Sequence, residues 1–133
     1  MKPGALFVCV ANSCRSQMAE AIAKSVVGDA WEIWSAGSNP SGRVHPVALR
    51  AMQDMGLDLS THWSKGLRDV PVRQWDYVVT MGCGDACPNV PARHRLDWQI
   101  PDPVGLPFEQ VRQIRDDLAG RVTALMGTGA ART

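Results

Sequence analysis

"FVCVANSCRSQMAE", residues 7–20, decides the fold. A short apolar run, Ala5 to Val10, breaks at Asn12-Ser13. From Ser16 the period changes, with Met18, Ile22 and Val26 recurring every four residues and Ala19 and Ala23 beside them. The pattern predicts a buried strand, a tight loop and an amphipathic helix that ends near Gly28. Two cysteines, Cys9 and Cys14, and Arg15 stand in that loop, so packing, metal binding and catalysis are all open at this point.

Working outward, "WEIWS" (residues 31–35) alternates apolar and polar and reads as a second strand. Residues 36–44, with Gly37, Pro40 and Gly42, read as a loop. Pro46 suits the first turn of a helix through "VALRAMQDM" that Gly56 stops. Residues 57–70 are irregular, with a helical turn near Arg68, and "YVVTM" (77–81) is a third buried strand. The Gly-rich loop "GCGDACPNVP" follows, and a weak fourth strand lies near His94 to Trp98. Pro101, Pro103 and Pro107 keep the next segment extended. Val111, Ile114, Leu118, Val122 and Leu125 mark a last helix, before a tail at 127–133 that is expected to fray. Strands alternating with helices predict an α/β domain whose parallel sheet is covered on both faces. Ligands bind such sheets at the carboxyl ends of the strands. The loops Cys9–Arg15 and Cys83–Cys87 both fall there, on one edge.

A chain of 133 residues is expected to form one domain, 1–133. Its 45% hydrophobic and 20% charged residues are ordinary for a globular protein. A net charge of +1 gives no electrostatic footprint for nucleic acid. The longest apolar run, Ala5 to Ala11, is too short to span a membrane. No leader pattern follows Met1, so a cytoplasmic location with reduced thiols is expected. Four cysteines in that setting point to catalysis or metal binding before a structural disulfide framework.

The spacing Cys9-x5-Arg15 has a physical logic. A loop between strand and helix can turn the N–H groups of Val10, Ala11, Asn12, Ser13, Cys14, Arg15 and Ser16 inward, as a nest for a tetrahedral oxyanion. The helix dipole adds positive potential, and the Arg15 fork can clamp the anion. The same fields favour thiolate at Cys9. Asn12 suits a left-handed conformation that closes the loop, and Ser16 can donate to the sulfur. The plainer reading is a buried strand cysteine with an exposed helix arginine. Cys83 and Cys87 can form a disulfide if their loop bends, or half a zinc site. Zinc would need Cys9 and Cys14 as the other half, beside the Arg15 charge, which electrostatics disfavours. His45, His62 and His94 show no ligand spacing and read as cap or surface residues; the five tryptophans read as packing.

"VCVANSCRSQMAEA" resembles the phosphate-binding loop of the low-molecular-weight protein tyrosine phosphatase superfamily, with its C-x5-R-S signature. Asp102-Pro103 resembles that family's general-acid motif, so the resemblance covers nearly the whole chain. It implies a three-layer α/β/α fold of the phosphotyrosine phosphatase I-like kind, with a four-stranded parallel sheet in the order 2-1-3-4. Gln17 replaces the proline usual after Arg-Ser, and Val104-Gly105 replaces the aromatic pair that flanks a tyrosyl substrate. Both point to the arsenate reductase branch. The resemblance then implies a relay in which Cys9 attacks arsenate, Cys83 attacks Cys9, and Cys87 attacks Cys83. The resulting Cys83–Cys87 disulfide would be reduced by thioredoxin. Arg15 would bind the anion, Asp102 would assist departure of hydroxide, and Cys14 would be a packing thiol. Phosphate and sulfate would compete with arsenate, and no cofactor is expected.

The related reductases often hold a potassium ion near this loop. The positions resembling its ligands are Asn12, Ser35, Trp63 and Lys65, with Glu20 close by. Trp63 and Lys65 replace a hydroxyl and a carboxylate. Lys65 is therefore expected either to take the cation's place against Glu20 and Ser35 or to be a solvated surface charge. Two further functional readings share the loop: a low-molecular-weight phosphatase working through a Cys9 phospho-thiol, and a non-enzymatic thiol module that stores or senses arsenite or metal.

Overall fold

The computed structural model describes residues 2–82 and 90–131. Its elements are β1 (Gly4–Cys9), α1 (Arg15–Val27), β2 (Glu32–Gly37), α2 (Pro46–Asp54), β3 (Trp75–Thr80), β4 (Ala92–Asp97) and α3 (Phe108–Ala131). The four strands are all parallel and lie in the order β2-β1-β3-β4. Central β1 is buried at every position, which is why it reads as a continuous apolar run rather than an alternating one. The register pairs Cys9 with Gly37, bringing the ends of β1 and β2 together where the first loop begins.

Alternation along the strands divides the core. Ala5, Phe7, Cys9, Ile33 and Val79 belong to the larger cluster, with Met18 and Ile22 of α1, Ala51 and Met52 of α2, and Leu118 and Val122 of α3. Leu6, Val8, Ala36 and Val78 belong to the smaller one on the opposite face, with Val70 and half-buried Leu67 beside the 3₁₀ turn Leu67–Asp69. Both faces are thus covered, in an α/β fold with the strand order implied by the phosphatase-like loop. Helix α1 is buried at every residue from Ser16 to Ala23, so its amphipathic repeat understates how enclosed it is.

The last helix is described to Ala131 along its backbone, past Gly127, where the sequence predicted fraying. Strand β4 begins earlier than its sequence suggests because it is an exposed edge, "ARHRLD", whose arginines mask the β pattern. Charges there discourage pairing with another sheet.

Two guanidinium groups tie the elements together. Arg73 Nη1 lies 3.0 Å from Glu32, and Arg73 packs over the Trp75 ring at 5.1 Å, stapling the amino ends of the strands. Arg115 Nη1 donates to Asp54 at 2.7 Å and to the Ala51 carbonyl at 3.0 Å, fixing the end of α2 to α3. Neither guanidinium bonds to the loop between β1 and α1.

Candidate active site

The loop after β1 is turned inside out by the segment that follows β2. The carbonyls of Cys9, Val10, Ala11 and Ser13 accept from the N–H groups of Ser38, Asn39, Ser41 and His45 at 2.8–3.1 Å. Ser64 Oγ also donates to Ala11 O, at 3.1 Å. With the carbonyls committed outward, the N–H groups of Ala11 to Cys14 have no acceptor among the described residues. A ring of unpaired donors at the start of a helix is an anion nest. Asn12 closes it at φ 48°, in the left-handed conformation that asparagine tolerates. Gly37 makes room: a Cβ there would stand 2.5 Å from Val10 O and 2.9 Å from Asn12 N.

Directed hydrogen bonds run through this loop to the sulfur. The Lys65 backbone N–H donates to Asn12 Oδ1 at 2.7 Å, which identifies the oxygen end of that amide. Asn12 Nδ2 then donates to Ser16 Oγ at 2.7 Å. The Ser16 hydroxyl is left to donate to Cys9 Sγ, 2.9 Å away. Gln17, fully buried, braces the same asparagine: its Nε2 donates to Asn12 Oδ1 at 2.8 Å and to Trp63 O at 2.8 Å. Its Oε1 therefore faces His62 Nδ1, 3.0 Å away, which must carry a proton.

Around the mouth, Arg15 donates to Ile100 O at 3.0 Å, from the segment that leads to Asp102. Gly82, at φ 79°, lies beneath the guanidinium, and a Cβ there would meet Arg15 Nη1 at 2.5 Å. Asp102 is exposed, and its Oδ1 accepts from Val104 N at 3.1 Å in a tight turn. Its charge is close enough to act on Cys14. Burial first, then Asp102 and Cys9, outweigh Arg15 and push the Cys14 thiol up to about 12. Cys14 is therefore a protonated thiol near neutral pH.

Behind the loop lies a buried ionic cluster. Glu20 accepts from Lys65 Nζ at 3.2 Å, from Lys24 Nζ at 2.6 Å and from the Ser35 hydroxyl. Burial alone would raise the Glu20 carboxyl, but Lys65, Lys24 and Ser35 together hold it below the ordinary carboxylate range. Lys65 is 2% exposed and is not a solvated surface charge.

Cys9, Val10 to Ser16 and Asp102 thus surround one site, with Glu20, Ser35 and Lys65 behind it. Cys83 and Cys87 lie outside the described residues. Among the described residues no cluster of His, Cys, Asp and Glu could hold a metal ion. The sequence reading of His62 as a cap or surface residue is corrected: it is half-buried and braces Gln17. Its lack of ligand spacing carried no signal, because its partner is 45 positions away. His45 does cap α2, accepting from Val47 N at 3.0 Å. Gly37, Gly82 and Ser64 serve the site through close approach and were legible only as loop residues. Trp63 contributes its carbonyl to Gln17 and Lys65, and its ring lies 5.5 Å from Lys65 Nζ.

Residues 5–132 match the family model of the low molecular weight phosphotyrosine protein phosphatases. The chain is 40% identical to arsenate reductase 2 of Staphylococcus haemolyticus over 116 residues, covering 84% of this chain and 87% of that protein. Similarity to a thioredoxin-dependent arsenate reductase of Corynebacterium glutamicum is 36% identity with a TM-score of 0.83, covering 99% of this chain and 64% of that one. The chain thus spans less than two thirds of that structure. A solved arsenate reductase in a phosphate-binding state is 35% identical with a TM-score of 0.83, covering 96% of this chain and 98% of that one.

Proposed function

The chain belongs to the low molecular weight phosphotyrosine protein phosphatase family, and we propose that within it this protein reduces arsenate to arsenite. One observation carries the reading. Strand β3 lies directly beside parallel β1, so its carboxyl end shares an edge of the sheet with the Cys9 nest, and in the sequence Cys83 and Cys87 follow three and seven residues after Thr80. A phosphatase has no use for two further thiols there.

Arsenate sits on the inward N–H groups of the loop, with Arg15 as its clamp. The Cys9 thiolate, held by Ser16, attacks arsenic, and Asp102 protonates the departing hydroxide. The Cys83 thiolate then attacks Cys9 Sγ. The S–As bond breaks, its electron pair stays on arsenic as arsenite, and a Cys9–Cys83 disulfide remains. Attack by Cys87 on Cys83 frees Cys9 and leaves a Cys83–Cys87 disulfide for an external dithiol of the thioredoxin kind. Cytoplasmic reducing conditions suit this cycle. Phosphate and sulfate compete for the nest because they present the same tetrahedral anion.

The test is arsenate turnover coupled to thioredoxin, thioredoxin reductase and NADPH, on wild type and Cys87→Ser. Wild type should turn over repeatedly. Cys87→Ser should release about one equivalent of arsenite per chain and stop with a Cys9–Cys83 disulfide. Wild type inert to arsenate yet fast on aryl phosphates would establish the phosphatase instead.

A further inference from the structure

Resemblance to the reductases implies a potassium ion behind the anion loop, and the oxygens present do not fit one. Asn12 Oδ1 already accepts from Lys65 N–H at 2.7 Å and Gln17 Nε2 at 2.8 Å. Trp63 O accepts from Gln17 Nε2 at 2.8 Å and Lys65 Nζ at 3.1 Å. Ser35 Oγ is turned toward Glu20 as a donor. Glu20 Oε1 takes Ser35 and Lys65, while Oε2 takes Lys24 at 2.6 Å. His62 Nδ1 stands 3.9 Å from the same carboxylate oxygen. A potassium ion here would displace donors from filled oxygens and add a third cation beside two ammonium groups on one buried carboxylate, which is costly at low dielectric.

We propose that the Lys65 ammonium is the resident cation of this protein, a covalently tethered replacement that makes the active loop independent of alkali metal. One residue does two jobs. Its side chain bridges Glu20 of α1 to the Trp63 carbonyl. Its backbone N–H holds Asn12, whose amide directs Ser16 onto Cys9. Lys65 is thus a positioning residue: it touches no reacting atom, and the segment it anchors sets the geometry of those that do. A tethered cation binds at no translational cost and keeps its occupancy at any salt composition.

Its surroundings also say what removal would do. Lys65 borders a cleft of about 300 Å³ lined by Glu20, Lys24, Trp34, His62 and Trp63, so a truncated side chain leaves an ion-sized space open to solvent. Lys65→Ala should vacate that space, and Lys65→Met should fill it without charge.

The proposal rests on the reductase reading for the name of the reaction only. Its test uses thermal melting and phosphate affinity, which are independent of arsenate turnover. Both are measured in potassium and sodium chloride at equal ionic strength, on wild type, Lys65→Ala and Lys65→Met. Wild type should melt at the same temperature and bind phosphate equally in the two salts. Lys65→Ala should lose several-fold in phosphate affinity in sodium and regain most of it in potassium. Lys65→Met should lose affinity in both. A wild type that gains affinity or melting temperature in potassium over sodium would overturn the proposal, and so would a Lys65→Met variant that binds phosphate as wild type does. The wild-type comparison needs no variant to fold.

Discussion

The hydroxyl of Ser16 lies 2.9 Å from the sulfur of Cys9, and because the Asn12 amide already donates to its oxygen, its own proton is available to the sulfur. The two residues are seven positions apart, yet the amide that bonds the Ser16 hydroxyl is oriented from a third segment by the backbone of Lys65.

Removal of the donor should therefore slow the thiol without disturbing the nest. A hydrogen bond to a charged group is worth about 1.5–3 kcal/mol, so Ser16→Ala should lower the rate of Cys9 alkylation by iodoacetamide at neutral pH roughly 10- to 100-fold. Phosphate affinity should change far less. Equal loss of both would mean that Ser16 shapes the loop instead.

Gly37 should not tolerate a side chain. Its Cβ would press on Val10 O and Asn12 N, both backbone atoms of the nest, at 2.5 and 2.9 Å. Gly37→Ala should cost more than 10-fold in phosphate affinity by titration calorimetry, with Cys9 still present to alkylate. Gly82→Ala meets the mobile end of Arg15 as well as a left-handed backbone, so it should raise the arsenate KM by displacing the clamp.

Cys14 should be silent where Cys9 reacts. With its thiol pushed up to about 12, mainly by burial, it is almost wholly protonated at pH 7.5. Mass mapping after brief iodoacetamide treatment should find Cys9 modified and Cys14 untouched until the chain is denatured. Native Cys14 labelling at a comparable rate would count against a scaffold role.

Acid should weaken the fold in two stages. Burial leads the lowering of the His62 pKa below 6.5, so the unfolded chain binds the proton more readily. The stability from neutral His62 is complete above about 6.5 and is lost as pH falls through the lower folded value. Glu20 is likewise depressed below 4.5, and its contribution is lost only at lower pH still. Wild type should begin to lose melting temperature below pH about 6.5, and His62→Gln should flatten that first stage while leaving the second.

Asp102→Asn keeps the turn acceptor but removes the proton. Arsenate turnover should fall roughly 10²- to 10⁴-fold with little change in KM. A small effect would assign the proton to solvent.

Much of this site was legible in the chain itself. The change from an apolar run to a four-residue repeat located β1, the loop and α1, because burial on both faces and helical periodicity are local properties. The spacing Cys9-x5-Arg15 put a thiol, a row of amides and a guanidinium at one strand end for the same reason. What only the tertiary structure decided is the state of those groups. Lys65 reaches Asn12 across 53 positions and His62 reaches Gln17 across 45, both carried by the irregular crossover between α2 and β3. Such a segment has no period to read. Whether Lys65 is a surface charge or a buried cation depends on which carboxylate the fold sets opposite it, and no pattern within residues 57–70 encodes that.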